Sequence, residues 1–276
     1  MSVLARILGA ATALTITACS VLAQDNSGLR RLTDRDDLLG WEAVGRLELN
    51  GHGFCTATLI ASDLVLTAAH CVYDRASSRL LQAGQVTFRA GLRDGVAVAE
   101  RKGLQIAAHP GYTPGVPPNA QNIRHDVALI RLAEPITTTE ADPFVLYQGA
   151  RDGTEVSVTS YGQGRAEALS RQRSCKILGG RDDLMAFDCD VTFGSSGAPV
   201  FVRVGGRGRI ASIISGGMKL EGRKVALGMV LPARVDELKA LLRRNPTARP
   251  DRRVKRLQVG NGRNSTGAKF IRADGS

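Results

Sequence analysis

The segment FGSSGAP, residues 193–199, sets two adjacent serines, Ser195 and Ser196, among glycine and proline. Small residues let a backbone bend sharply and let a second chain approach it closely, which suits a plain turn and a nucleophile's seat alike. A serine nucleophile needs a base for its proton, a carboxylate to orient that base, and backbone N–H donors aimed at the oxyanion. The four histidines, His52, His70, His109 and His125, all precede Ser196. That order excludes the serine–acid–histidine succession, and Ala198 breaks the GxSxG elbow that goes with it. His70 ends the run LVLTAAHC beside Cys71, and Asp126 opens the alternating run DVALIRL, where a carboxylate at a strand entrance can point at a neighbouring loop. Taken singly, the serine reads as a turn residue, the histidine as structural and the aspartate as an edge residue; only together do they make a catalytic set.

Rigid support for a base can come from a covalent bridge. Cys19 lies in the leader, which leaves Cys55, Cys71, Cys175 and Cys189, an even number suited to disulfides in an oxidising compartment. Four cysteines allow three pairings. The local ones, Cys55 with Cys71 and Cys175 with Cys189, would close short loops worth about 3 kcal/mol each if unstrained. Zinc is the alternative, but neither a CxxC pair nor an HxxxH spacing supports it.

The elements that must position these residues are mostly strands. AVGRLEL, FCTATLIA, LVLTAAH, QVTFRAGL, VAVAERKGLQIAAH, DVALIRL, TEVSVTSYG, APVFVRV, RIASIISGG and VALGMVL are short, rich in Val, Ile, Leu and Thr, and separated by Gly, Asn, Asp or Pro. Such a succession predicts an all-β sandwich or barrel with antiparallel pairing. PARVDELKALLRR predicts one helix, with Val235, Leu238, Leu241 and Leu242 at helical spacing and arginines at its end. The proline-rich stretch 109–122 reads as a loop.

The chain has 276 residues and a formal charge of +11. Residues 1–23 read as a signal peptide, which implies a secreted or periplasmic protein. A lipobox reading of Ile16–Cys19 would instead anchor it to a membrane through Cys19. Residues 24–39 form an N-terminal extension or pro-segment. From Arg243 onward ten basic residues stand against two aspartates, so +8 of the charge sits in the last 34 residues. The tail, 245–276, reads as a solvated, disordered extension, with an anionic surface or polymer as its alternative partner. Aromatic stacking residues are nearly absent there, and no specific nucleic acid is expected.

TAAHC, HDVALIRL and GSSGAP, in that order over residues 40–244, resemble the trypsin/chymotrypsin family of serine proteases. The resemblance implies two packed six-stranded antiparallel β-barrels with a C-terminal helix, and catalysis in the cleft between them. It makes His70 the general base, Asp126 its orienter and Ser196 the nucleophile, with the N–H groups of Gly194 and Ser196 as oxyanion hole. Asp190, Ser215 and Gly217 fall at the family's substrate-binding positions, and the small Gly217 and Gly228 suggest an unobstructed pocket. Animal members carry an aspartate before the nucleophile that pairs with a newly cut amino terminus. Ser195 stands there instead, as in bacterial secreted relatives including the glutamyl endopeptidases, and is expected to hydrogen-bond locally. Gly216 replaces the family's aromatic residue. A glutamate-specific pocket usually needs a histidine in its wall, and none follows residue 125. The implied activity is a serine endopeptidase acting on proteins or peptides, with no metal or organic cofactor; Asp190 either favours Arg or Lys or, as in bacterial relatives with a similar Cys-Asp context, only anchors the loop after the disulfide. A monomer is expected. The alternatives are a non-catalytic binding module on the same fold and a surface binder acting through the tail.

Overall fold

The computed structural model describes residues 28–51 and 53–245; the leader with Cys19, His52 and the tail from Pro246 lie outside the described residues. The chain opens with β1 (Leu29–Arg31) and one helical turn, α1 (Arg35–Leu38). There follow β2 (Val44–Glu48), β3 (Phe54–Ala61), β4 (Leu64–Thr67), β5 (Thr87–Ala90), β6 (Ala99–Ala108), a second short helix α2 (Ala120–Arg124) and β7 (Ala128–Leu132). β2 to β7 pair antiparallel in the order β2-β3-β4-β7-β6-β5 and close into a barrel. Leu47, Leu59, Leu66, Phe88, Leu129 and Ile130 are fully buried within its core. The loop expected over 109–122 runs into α2, which Asn119 caps by accepting from Asn122 N.

The second half comprises β8 (Glu155–Gly162), β9 (Arg165–Arg181), β10 (Leu184–Phe187), β11 (Pro199–Val204), β12 (Arg207–Leu220), β13 (Arg223–Met229) and α3 (Pro232–Arg244). Its sheet order is β1-β9-β10-β13-β12-β11-β8, and β8 also pairs with β9. β8 to β13 thus form a closed ring of six strands, with β1 added to the outside of β9. Val156, Val158, Ile177, Phe187, Val200 and Ile214 fill a second core. The fold is the all-β, two-barrel arrangement that the sequence implies. Segment 29–31, read as extension, is antiparallel to Ser170–Gln172 of β9, and Leu32 and Leu38 are buried in the first core.

Two features bind the halves. Phe144, in the connection between them, packs against Trp41 and against Phe201 of β11, with ring centroids 5.8 and 4.6 Å apart. α3 follows the last strand of the second barrel yet buries Val235, Leu238 and Leu242 in the first core. Gln105 Nε2 of β6 donates to Leu242 O at 3.3 Å. Burial of three apolar side chains on one helical face is the periodicity that marked this segment as a helix.

Candidate active site

β4 ends at Thr67 and the chain turns through a 3₁₀ turn, Ala69–Val72, that carries His70. The bond Cys55–Cys71 ties this turn to β3. Asp126 lies between α2 and β7 and is 3% exposed. Its Oδ1 accepts from the backbone N–H of His70 at 2.8 Å, and its Oδ2 lies 2.7 Å from His70 Nδ1. Ser215 Oγ donates to the same Oδ2 at 2.5 Å. A carboxylate opposite Nδ1 fixes the tautomer with the proton on Nδ1 and leaves Nε2 as the free acceptor. Burial disfavours the protonated imidazole, but the charge and hydrogen bond of Asp126 outweigh it, so the His70 pKa stands above its ordinary 6.5; Arg75 works against that rise.

The two serines of GSSG separate cleanly. Ser195 is fully buried. Its hydroxyl donates to Tyr161 O at 3.1 Å and accepts from Arg165 Nη2 at 3.1 Å and Thr192 N at 3.3 Å. Ser196 lines the same cleft as His70 and Asp126, and its hydroxyl has no hydrogen-bond partner among the described residues. Without substrate, a nucleophile–base contact longer than a hydrogen bond is common and tightens on binding.

Backbone geometry around Ser196 leaves two donors unused. Phe193 O accepts from Gln163 N at 2.7 Å, and Ser195 O accepts from Ala198 N at 2.9 Å. Across a trans peptide the following N–H points the opposite way, so those of Gly194 and Ser196 turn from these partners and meet no acceptor among the described residues. The shape demands glycine. Gly194 has φ +91°, and a Cβ there would come within 2.4 Å of the Phe54 ring; Gly197, at +77°, would meet Thr56 O at 2.3 Å.

Thr56 of β3 gave no sign in the sequence, yet it joins this loop to the first barrel. Its N–H donates to Ser196 O, its hydroxyl donates to Gly194 O at 2.8 Å and accepts from Tyr161 N at 3.0 Å, and its carbonyl accepts from Thr67 Oγ1. Arg165 was likewise missed. Both are long-range partners, 138 and 30 residues away from the groups they hold, and no local pattern announces them.

The cleft, of about 990 Å³, is also lined by Asp190, Ser215, Gly216 and Gly217. Asp190 follows the bond Cys175–Cys189, and its N–H donates to Gln172 Oε1 at 2.7 Å. Ser215 spends its hydroxyl on Asp126. Gly228 departs from expectation. It does not line the cleft, and its missing side chain makes room for Ile213 O, which a Cβ would meet at 2.2 Å. The Cys55–His70–Cys71 and Cys175–Asp188–Cys189 groupings result from the disulfides, whose sulfurs are not the thiolates that bind metals.

The Trypsin family model matches residues 39–236. Clotting factor C of Tachypleus tridentatus is 31% identical over 137 residues, covering 45% of this chain and 13% of that protein. A glutamyl endopeptidase of Bacillus licheniformis is 29% identical over 152 residues, 54% of this chain and 45% of that protein. The chain spans less than half the length of the curated relatives it matches. Among solved structures, a Glu endopeptidase in complex with MPD superposes with a TM-score of 0.65 at 19% identity, covering 79% of this chain and 97% of that one. A thermostable serine protease, AL20, gives 0.59 at 18% identity, over 72% and 97%. With the match extending over both barrels, and with a glutamyl endopeptidase similar to it in sequence and another in fold, the chain belongs to the trypsin family of serine proteases.

Proposed function

We propose that the protein is a secreted serine endopeptidase in which His70, Asp126 and Ser196 act as one unit. The observation that carries this reading is the doubly bonded His70–Asp126 pair in a cleft that also contains an unbonded Ser196 hydroxyl. His70 Nε2 takes the Ser196 proton as Oγ attacks the peptide carbonyl, and Asp126 stabilises the imidazolium that forms. The N–H groups of Gly194 and Ser196 receive the developing oxyanion. His70 then returns the proton to the leaving amine, and a water repeats the sequence to release the acyl group. Substrate backbone extends along Ser215–Gly217, whose strand is paired on one side with β13.

For selectivity, Asp190 supports a preference for Arg or Lys before the cut. It lines the cleft and has no cation within 4 Å among the described residues. Export is supported by the two disulfides together with the leader-like sequence. The test is cleavage of a mixed peptide library by the purified protein, with cut sites read by mass spectrometry. Wild type is expected to cut, most often after Arg or Lys, while Asp126→Asn falls about 10⁴-fold. Cuts of equal rate and pattern in Asp126→Asn would refute the reading.

A further inference from the structure

Arg165 opens β9 behind the cleft wall: it does not line the cleft, whereas Asp190, Thr192 and Ser196 do. Its Nη1 donates to Ser160 O at 2.6 Å, and its Nη2 donates to Ser160 Oγ at 3.0 Å and to Ser195 Oγ at 3.1 Å. Those two hydroxyls, both buried, lie 3.3 Å apart. The guanidinium is wedged tightly: a Cβ on Gly162 would come within 2.7 Å of Thr192 and 2.8 Å of Arg165 Cζ. No carboxylate approaches Arg165 within 4 Å among the described residues. Burial pushes its pKa down to about 10, with the charge of Asp190 acting in the opposite direction. At neutral pH the side chain is therefore still a cation, bonded to Ser195, whose hydroxyl also accepts from the N–H of Thr192, two residues after Asp190.

We infer that Arg165 does two things at once: it positions the loop of Gly194 and Ser196 through Ser195, and it offsets the charge of Asp190 from behind the pocket wall. The inference rests on the protease reading above. Its first part means that a hydrogen-bonded internal cation seats Ser195. Its second part makes Arg165 a specificity determinant that substrate never touches: Asp190 attracts a basic side chain less strongly than an aspartate standing alone would.

The test compares Arg165→Lys, Arg165→Gln and Arg165→Met in the full chain with wild type. Two quantities are read: the rate at which a fluorophosphonate labels Ser196, and the ratio of kcat/KM for a peptide with Arg before the cut to one with Gln there. Labelling is expected to slow about 100-fold in Arg165→Met, as for an ångström-scale misplacement of reacting groups, with Arg165→Lys recovering part of the loss. The ratio is expected to rise about tenfold in the two neutral variants and to stay near wild type in Arg165→Lys, because a cation behind the wall that carries Asp190 has been removed from a partly screened site. A purely structural residue would leave that ratio unmoved. Thermal unfolding shows whether each variant folds; if Arg165→Met does not, Arg165→Lys against Arg165→Gln decides, since they differ in charge. Equal ratios in the charged and neutral variants, or undiminished labelling in a folded Arg165→Met, would overturn the inference. Absence of labelling in wild type would instead refute the protease reading itself.

Discussion

At the scale of single residues, the proposed chemistry turns on His70 being neutral when it accepts a proton. Its pKa stands above 6.5 because Asp126 outweighs burial, so kcat/KM is expected to rise with pH through a midpoint above 6.5. Arg75, exposed at the cleft edge, lowers that pKa. Removing its charge in Arg75→Gln should therefore raise the midpoint, and activity should be lost at a higher pH on acidification. Salt should shrink the difference between the two proteins, because an exposed charge is screened. A pH–rate profile of both at low and high ionic strength checks this, and an unmoved midpoint would contradict the assigned role of His70. His70, Asp126 and Ser196, which line one cleft, could be singled out for the proposed triad because each sits in a local motif and the three come in a fixed order. The contrast between Ser195 and Ser196 was only partly legible. Sequence places both in one turn and expects Ser195 to bond locally, but the distant partner that helps saturate its hydroxyl, Arg165, shows only in the folded chain.

At the scale of elements, the loop that carries Ser196 belongs to the second barrel but is fastened to β3 of the first through Thr56. Thr56→Val keeps the volume and the backbone bond to Ser196 O while leaving Gly194 O and Tyr161 N without their partner. Unpaired buried groups of this kind cost about 1–3 kcal/mol. The variant is expected to unfold at lower denaturant concentration and to lose about tenfold in kcat, with KM changed less, because the disturbance falls on the proposed oxyanion donors and spares the proposed substrate strand. Unchanged kcat in the folded variant would remove Thr56 from the account. The strands that escaped the sequence reading have physical reasons. In RAEALSRQRSCKILGGR, β9 buries Ala168, Leu169 and Ser170 in succession and then alternates buried Cys175 and Ile177 with exposed Lys176 and Leu178, so no single period runs through it, and its many cations mask what apolar pattern there is. β10 has four residues and β1 three, too few to show a period. Gly228 read as a pocket feature because a glycine's neighbours across a sheet cannot be seen from its own strand.

At the scale of the molecule, the cleft exists only while the two barrels stay in register. The Trp41–Phe144–Phe201 cluster and the return of α3 to the first core hold them so. The two disulfides are local, 16 and 14 residues apart in sequence, and each stiffens one barrel beside the site: the first at His70, the second just before Asp190. This architecture was legible from the succession of short strands and the three ordered motifs. The pairing of β1 onto β9 and the crossing of α3 were not, since both depend on contacts between distant segments. Assembly of the whole site is most directly measured by intact mass before and after exposure to a fluorophosphonate, on wild type and Ser196→Ala. One adduct is expected on wild type and none on the variant; a folded wild-type protein that gains no mass would contradict the assembly of the site.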